Sequence, residues 1–143
     1  MVDRFTVPAR KVMQLAKADA DRRGHRYIQT EHILIGLAFL PSGFAFKVLK
    51  NLGIDPSAIW HEVEKSLGLG KTAKSPHVNH MMEKAIDEAQ NLDHRYVGTE
   101  HFLIALMREE EECQITPVLT NLGVSLEAVR NQILENLGRL EEH

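Results

Sequence analysis

The chain carries the same sequence pattern twice, and this internal repeat limits the folds that it can adopt. Residues 24–37 read GHRYIQTEHILIGL, and residues 93–106, offset by 69 positions, read DHRYVGTEHFLIAL. After one inserted residue the match continues from VLKNLGI at residues 48–54 to VLTNLGV at residues 118–124. A register of this length with one insertion predicts two copies of one structural unit, because chance similarities do not keep a common spacing.

Each copy is predicted to contain four helices. The residues expected to cap helix N-termini are Thr6, Thr30, Ser75 and Thr99. Gly53 and Gly123 supply the left-handed position that ends the third helix of each copy. Apolar residues recur at helical spacing, and no segment alternates long enough to indicate a strand. The sequence therefore predicts an all-α fold of about eight helices, arranged as two pseudo-twofold-related four-helix repeats.

The domain boundaries follow from the same register. Residues 1–143 are expected to form a single domain, with repeat 1 at 5–68, a linker at 69–74 and repeat 2 at 75–140. The linker contains Gly-Lys-Thr, which also occurs in phosphate-binding loops. Such a loop needs a glycine where Lys65 stands and a strand before it, whereas a helix is predicted here. The segment is therefore interpreted as a connector.

Composition excludes several classes of partner. A net charge of -3 and a pI near 6.2 argue against nucleic-acid binding, which usually requires a basic surface. Cys113 is the single cysteine, so no intrachain disulfide can form and a reducing compartment is expected. The apolar run at residues 33–41 is too short to span a bilayer, and MVDRF does not begin a signal peptide. A cytoplasmic protein without membrane contact is predicted.

No metal, cofactor or catalytic site is predicted from the spacing of reactive residues. His77 and His80 are the only near pair of histidines, and the sequence has neither a cysteine pair nor His-Glu-x-x-His. No serine lies in a nucleophile elbow, and spacing suggests no partner for Cys113. A small metal- or thiol-dependent hydrolase that uses the histidines, Glu31 or Cys113 remains the alternative from another functional class.

Three further patterns are interpreted as structural. His25 and His94 follow a helix end, where an imidazole is expected to hydrogen-bond loop carbonyls. His32 and His101 fall in the first turn of a helix, where a neutral ring suits the helix dipole better than a cation. The run REEEE at residues 108–112 is typical of a solvated helix end.

The doubled Thr-Glu-His helix start, preceded by His-Arg-Tyr and followed by Asn-Leu-Gly, resembles the N-terminal domain of Clp-type (Hsp100) AAA+ unfoldases, and is most similar to the ClpC branch. The resemblance extends from Phe5 to about Leu140. It implies two four-helix repeats without enzymatic activity. It also implies that the partners are client proteins or peptides, adaptor proteins such as MecA-like factors, and the Clp ATPase ring.

The resemblance further implies a ligand, phosphorylated arginine. In ClpC-type domains the glutamate of each Thr-Glu-His meets the guanidinium, and the phosphate lies near the start of the first helix. This nominates Glu31 with Thr6 in repeat 1, and Glu100 with Ser75 in repeat 2. A helix N-terminus attracts anions, and a carboxylate pairs with a guanidinium. The alternative is that all four residues only stabilise helices, since an acidic first turn contributes roughly 0.3 to 1 kcal/mol.

The two repeats are expected to differ in affinity for phosphate. His77 and Asn79 stand where ClpC proteins commonly offer Arg and Lys, whereas repeat 1 keeps Arg10 and Lys11. The resemblance therefore implies weaker anion binding in repeat 2, and the largest loss of binding on Glu31→Ala.

An apolar segment replaces a charged turn of the family in repeat 1. Residues 38–46 read AFLPSGFAF and contain a cluster of large apolar residues, namely Phe39, Leu40, Phe44 and Phe46. If exposed, the cluster would form a patch suited to unfolded peptide or to an adaptor. Packing of some of these rings into the core is the alternative.

The function expected from these observations is non-enzymatic recognition of substrates and adaptors for a Clp-type unfoldase, with phosphoarginine-marked proteins as ligands. A free-standing homologue that acts as an adaptor or regulator of a Clp protease is the alternative within the family. A module that only docks domains is a further alternative.

Overall fold

The computed structural model describes residues 4–67, 76–112 and 117–141 of the chain. Within them lie eight helices: α1 (Val7–Arg22), α2 (Thr30–Ala38), α3 (Phe44–Asn51), α4 (Pro56–Leu67), α5 (His77–Asn91), α6 (Thr99–Glu112), α7 (Val118–Asn121) and α8 (Leu126–Glu141). Among these described residues, β-type pairing is limited to one parallel bridge between Phe5 and Val97. The prediction of an all-α fold with about eight helices is confirmed.

Most predicted helix ends are also confirmed. The hydroxyl oxygen of Thr6 accepts a hydrogen bond from the Ala9 N–H at 3.1 Å, which caps α1. Gly53 and Gly123 follow α3 and α7 with φ angles of 79° and 83°. Glycine adopts this left-handed conformation without the steric cost that a Cβ would add, so both helices stop where the sequence predicts.

The predicted caps of the second helices are one residue late. The N-cap of α2 is Gln29, one residue before the predicted Thr30. The backbone N–H of Gln29 donates a hydrogen bond to the side chain of His32, three residues later in the chain. Thr99 is likewise the first residue of α6. Its hydroxyl oxygen instead accepts the Ala45 N–H at 3.0 Å, and so stabilises the start of α3 in the other repeat.

The start of α5 also differs from the prediction. The helix begins at His77, with Pro76 at its N-cap position. Pro76 thus takes the position predicted for Ser75, which itself lies outside the described residues.

Helices α2 and α6 form the centre of the fold, because their sequences are apolar on nearly every side. Residues 32–38 of α2 and residues 99–107 of α6 are all buried. α6 packs against α1, α2, α3, α5, α7 and α8, and thus joins the two repeats. Its Phe102 is fully buried, with the Phe5 ring 6.0 Å away between centroids.

Helices α1 and α2 approach closely at Gly36. A Cβ there would lie 2.7 Å from the carbonyl oxygen of Val12. Gly→Ala in an open helix interior stabilises by about 1 kcal/mol. Here we expect Gly36→Ala to destabilise the chain by about 1–3 kcal/mol, because the backbone of α1 must move.

Urea unfolding measures this loss. Ala105 occupies the equivalent position of repeat 2, and Ala105→Gly is the matched control, with an expected loss of about 1 kcal/mol from helix propensity. A gain of stability in Gly36→Ala would contradict the proposed backbone clash.

The repeated histidines of repeat 1 form a hydrogen-bonded chain. His32 Nδ1 accepts the Gln29 N–H at 2.7 Å, so the proton of the neutral ring is on Nε2. That nitrogen lies 2.9 Å from Nδ1 of His25, which therefore accepts. The expectation that His25 hydrogen-bonds loop carbonyls is wrong for Nδ1, whose partner is the ring of His32.

Repeat 2 contains the same arrangement. His101 Nδ1 accepts the Gly98 N–H at 2.8 Å, and His101 Nε2 lies 2.9 Å from His94 Nδ1. Burial, with a smaller contribution from the neighbouring His94, lowers the pKa of His101 to about 4. Burial likewise lowers the pKa of His32 to about 4. The expectation of neutral rings at these two helix starts is confirmed.

The first residues of repeat 1 lie on repeat 2. The Thr6 N–H donates to the carbonyl of Val97 at 3.0 Å, and the Val97 N–H donates to the carbonyl of Arg4 at 2.7 Å. Together these bonds form the Phe5–Val97 bridge. The start of α1 is thereby held beside the loop that leads into α6.

Candidate functional site

The side chain of Glu100 lies in a pocket between the two repeats. Glu100 is the second residue of α6 and is 3 % exposed. The pocket has a volume of about 310 Å³, and its lining residues are Thr6, Pro8, Ser42, Phe44, Lys47, Tyr96, Thr99 and Glu100. Burial raises the pKa of Glu100, and a hydrogen bond from its own backbone N–H opposes this effect. A buried carboxylate of this kind favours a cationic group in the pocket.

The same pocket also offers groups that favour an anion. Thr6 places the N-terminus of α1 there, where N–H groups lack intrahelical partners and the helix dipole is positive. The Thr6 hydroxyl accepts from Ala9 and keeps its own hydrogen for donation. Lys47 of α3 adds an ammonium group. The resemblance paired Thr6 with Glu31, whereas in the structure Thr6 shares a pocket with Glu100.

Glu31 lies near the opposite end of α1. That helix has 16 residues, so its ends are about 24 Å apart. Asp19, in its last turn, acts on the titration of His32, which follows Glu31 directly. The half-buried carboxylate of Glu31 accepts hydrogen bonds from the Thr30 hydroxyl at 2.9 Å and the Ser66 hydroxyl at 3.2 Å.

Repeat 2 was expected to pair Glu100 with Ser75, which lies outside the described residues. Among the described residues, Thr6 of repeat 1 lines the same pocket as Glu100.

The apolar residues of segment 38–46 do not form one patch. Phe39 is 44 % exposed, whereas Leu40 packs against the core. Phe44 lines the Glu100 pocket, and Phe46 lines a different pocket of about 340 Å³. Side chains two positions apart on a helix point roughly 200° apart, so the rings of Phe44 and Phe46 lie on different sides of α3.

A groove beside Phe39 was not predicted. Its volume is about 360 Å³, and it is lined by Leu15, Ala18, Asp19, Arg22, Ile35, Phe39 and Trp60. Beneath it the guanidinium of Arg23 is buried, 2.8 Å from Asp19 and 5.8 Å from the centroid of the Trp60 ring. These residues come from three helices, so their spacing in the sequence does not indicate a common surface.

The acidic run at the end of α6 is only partly solvated. Glu109 is fully buried and Glu110 is 9 % exposed, so the expectation of a solvated end is wrong for both. Glu110 accepts the Leu119 N–H at 3.0 Å, and burial raises its pKa against that bond. Glu109 lies beside His77 and His80, and within the described ranges these three residues form the group that could hold a metal ion. Cys113 lies outside those ranges.

None of the helices in the described part of the chain has both the length and the apolar character needed to cross a membrane.

Sequence comparisons match this chain to an N-terminal domain of Clp proteins. The family model described as "Clp repeat (R) N-terminal domain" matches residues 4–112 and 73–143. The chaperone protein ClpB of Oceanobacillus iheyensis is 46% identical over 146 aligned positions, and the negative regulator of genetic competence ClpC/MecB of Bacillus subtilis is 44% identical over 146. Each alignment covers 99% of this chain and 18% of the relative, so the chain spans less than a fifth of their length.

Structural comparisons agree on the fold. The N-terminal domain of ClpD from Arabidopsis thaliana superposes with a TM-score of 0.72 at 20% identity, with 95% of this chain and 96% of that chain covered. The ClpV N-domain in complex with a VipB peptide superposes with a TM-score of 0.71 at 14% identity, with 88% and 82% covered. With the family model matching both repeats, the chain belongs to the Clp N-terminal domain family.

Proposed function

We propose that this chain recognises substrates and adaptors for a Clp-type AAA+ unfoldase and catalyses no reaction itself. The family assignment supports this role, and one structural relative is described as a complex with a peptide. The partners are client proteins or peptides, adaptor proteins and the Clp ATPase ring. A free-standing homologue that regulates a Clp protease would use the same surfaces.

The ligand of the Glu100 pocket is proposed to be phosphoarginine. The observation that carries this proposal is a single pocket holding a carboxylate 3 % exposed together with a helix N-terminus. The Glu100 carboxylate would pair with the ligand's guanidinium through charge-assisted hydrogen bonds. The phosphoryl group would take the Thr6 hydroxyl, the α1 N-terminus and the Lys47 ammonium. An unmodified arginine would lack the contacts of the phosphoryl group, and a phosphoserine would lack the pairing with Glu100.

Glu31 is proposed as the carboxylate of a second, weaker site for another phosphoarginine. Its carboxylate already accepts two side-chain hydrogen bonds, so an incoming guanidinium must compete with Thr30 and Ser66. The expectation that Glu31 contributes most is therefore revised, because the helix that carries Arg10 and Lys11 begins beside Glu100.

The groove lined by Leu15, Phe39 and Trp60 is proposed to take apolar side chains of the same clients. Exposed aromatic surface in a concave position favours such contacts, and Asp19 and Arg22 at the groove supply polar partners for a peptide backbone.

Binding of a phosphoarginine peptide tests the proposal. We expect a dissociation constant in the micromolar range, roughly -8 kcal/mol. Glu100→Gln should weaken binding at least about tenfold, because loss of a charged partner of a hydrogen bond costs about 1.5–3 kcal/mol, and Glu31→Gln should weaken it less. Titration calorimetry gives both values, with the same peptide carrying unmodified arginine as the ligand control.

The matched control variant is Glu127→Gln, which changes an exposed carboxylate on α8. It should bind as the unchanged chain does. Equal affinity of the unchanged chain and the Glu31→Gln/Glu100→Gln double variant would exclude the proposed ligand contacts and favour a purely structural role for both residues.

A further inference from the structure

We propose that His77, His80 and Glu109 form a binding site for a divalent transition-metal ion of the zinc type. His77 and His80 are one turn apart at the start of α5, so both project from the same face of that helix. Glu109 reaches them from α6, which packs along α5. One ligand atom from each residue lies within 4.8 Å of the other two.

The geometry needs only a small closure to become a coordination sphere. Nδ1 of His77 already lies 3.1 Å from Oε2 of Glu109, which is the separation expected of neighbouring atoms around one ion with bonds of about 2.0–2.2 Å. The remaining ligand belongs to His80, whose side chain is exposed and free to change rotamer.

The ligand types decide which ions fit. Two imidazoles and one carboxylate suit zinc, nickel or copper, whereas magnesium and calcium require mostly oxygen ligands. The same ligand set, two His and one Glu, holds zinc in enzymes that leave one coordination position open. Here the open position would face solvent beside His80, where water or a side chain of a bound protein can occupy it.

Glu109 has features expected of an oriented metal ligand. It is fully buried, and its Oε1 is contacted by the Lys84 ammonium. The other oxygen, Oε2, is the one directed at His77. A positive group behind the carboxylate fixes its direction, as second-shell partners of metal ligands do. The alternative is that Lys84, Glu109 and His77 form an ion-pair network with no further role.

The cluster belongs to repeat 2 alone. At the register of 69 positions, His77, His80 and Glu109 correspond to residues of repeat 1 that cannot supply this ligand set, namely Pro8, Lys11 and Leu40. The duplication therefore does not account for these three side chains, and helix formation requires none of them.

Titration with zinc chloride tests the proposal on the whole chain. We expect one saturable zinc per chain by calorimetry, and visible ligand-field absorption when cobalt(II) is added in its place. His80→Ala should weaken zinc binding at least about tenfold while the Lys84–Glu109–His77 contacts persist. His61→Ala, which removes an exposed histidine on α4, should bind as the unchanged chain does.

Several results would overturn the site. Absence of saturable binding, or equal affinity in His80→Ala and the unchanged chain, would leave only an ion-pair network. Equal weakening in His80→Ala and His61→Ala would indicate non-specific binding by surface histidines, which also contradicts the proposal. Circular dichroism of each variant confirms that the helices are retained, and Glu109→Gln provides a second variant in which the third ligand loses its charge. None of these outcomes depends on phosphoarginine binding.

Discussion

Stability is expected to fall by about 5 kcal/mol between pH 7 and pH 4.5 through His32 and His101 alone. Burial lowers the pKa of both rings to about 4 in the folded chain, while an unfolded histidine has a pKa of about 6.5. The unfolded chain therefore binds more protons between these values. The stabilisation is complete above about pH 6.5 and is lost as the pH falls toward 4.

The hydrogen bonds give the reason for the low pKa values. A second proton on His32 or His101 would go to Nδ1, which already accepts a backbone N–H. The protonated Nδ1 and the backbone N–H would then be two donors that face each other. They would lie at the buried start of a central helix, where no water can accept from either. Neighbouring charges also shift the pKa of His32. Asp19 and Glu31 raise this pKa, whereas His25 and Arg23 lower it.

Urea unfolding of the unchanged chain and of the His32→Gln/His101→Gln variant at both pH values measures the effect. Glutamine keeps an acceptor for the same backbone N–H but does not titrate. Glu100 and Glu110 have raised pKa values that act in the opposite direction, and they are present in both proteins. The expected result is a smaller loss in the variant. An equal loss in both proteins would assign the acid sensitivity to other groups.

Phe102→Ala is expected to cost about 3–5 kcal/mol of unfolding free energy. The ring is fully buried on α6, the helix that contacts both repeats, and it packs against Phe5 of the segment bridged to Val97. Its removal leaves a cavity at the junction of the repeats, which close packing on several sides prevents from collapsing. A decrease in melting temperature of roughly 10 °C should accompany the loss.

Chemical denaturation of Phe102→Ala measures this cost, and Phe39→Ala is the control. It deletes the same side chain from a position that is 44 % exposed, so a loss below about 1 kcal/mol is expected. Equal losses in the two variants would show that α6 does not hold the repeats together through this residue.

The helices and their ends could be predicted because local interactions determine them. Thr6 has a hydroxyl that caps its own helix, and Gly53 and Gly123 end helices through their own backbone conformation. Each of these effects acts within four residues of the chain. The internal repeat strengthened the prediction of the helices, because the same signals recur in both copies at one register.

The site was predicted less well because it depends on contacts between the copies. The family resemblance paired Thr6 with Glu31, but the backbone pairing with Val97 holds Thr6 beside Glu100. The burial of Glu109 was missed for a related reason. The acidic end of α6 is still packed in the core, so the neighbours of Glu109 are residues of α5. Distant partners of this kind leave no periodic trace in a single sequence.

The contact of the start of repeat 1 with repeat 2 bears on how such a protein could arise. A polypeptide with one repeat would contain the carboxylate. The helix start beside that carboxylate would have to come from the leading segment of a second molecule. Closed twofold pairs of identical subunits achieve this at low cost. If the chain were cut between the repeats, the two halves would have to associate to restore the hydrogen bonds of Arg4 and Thr6 with Val97.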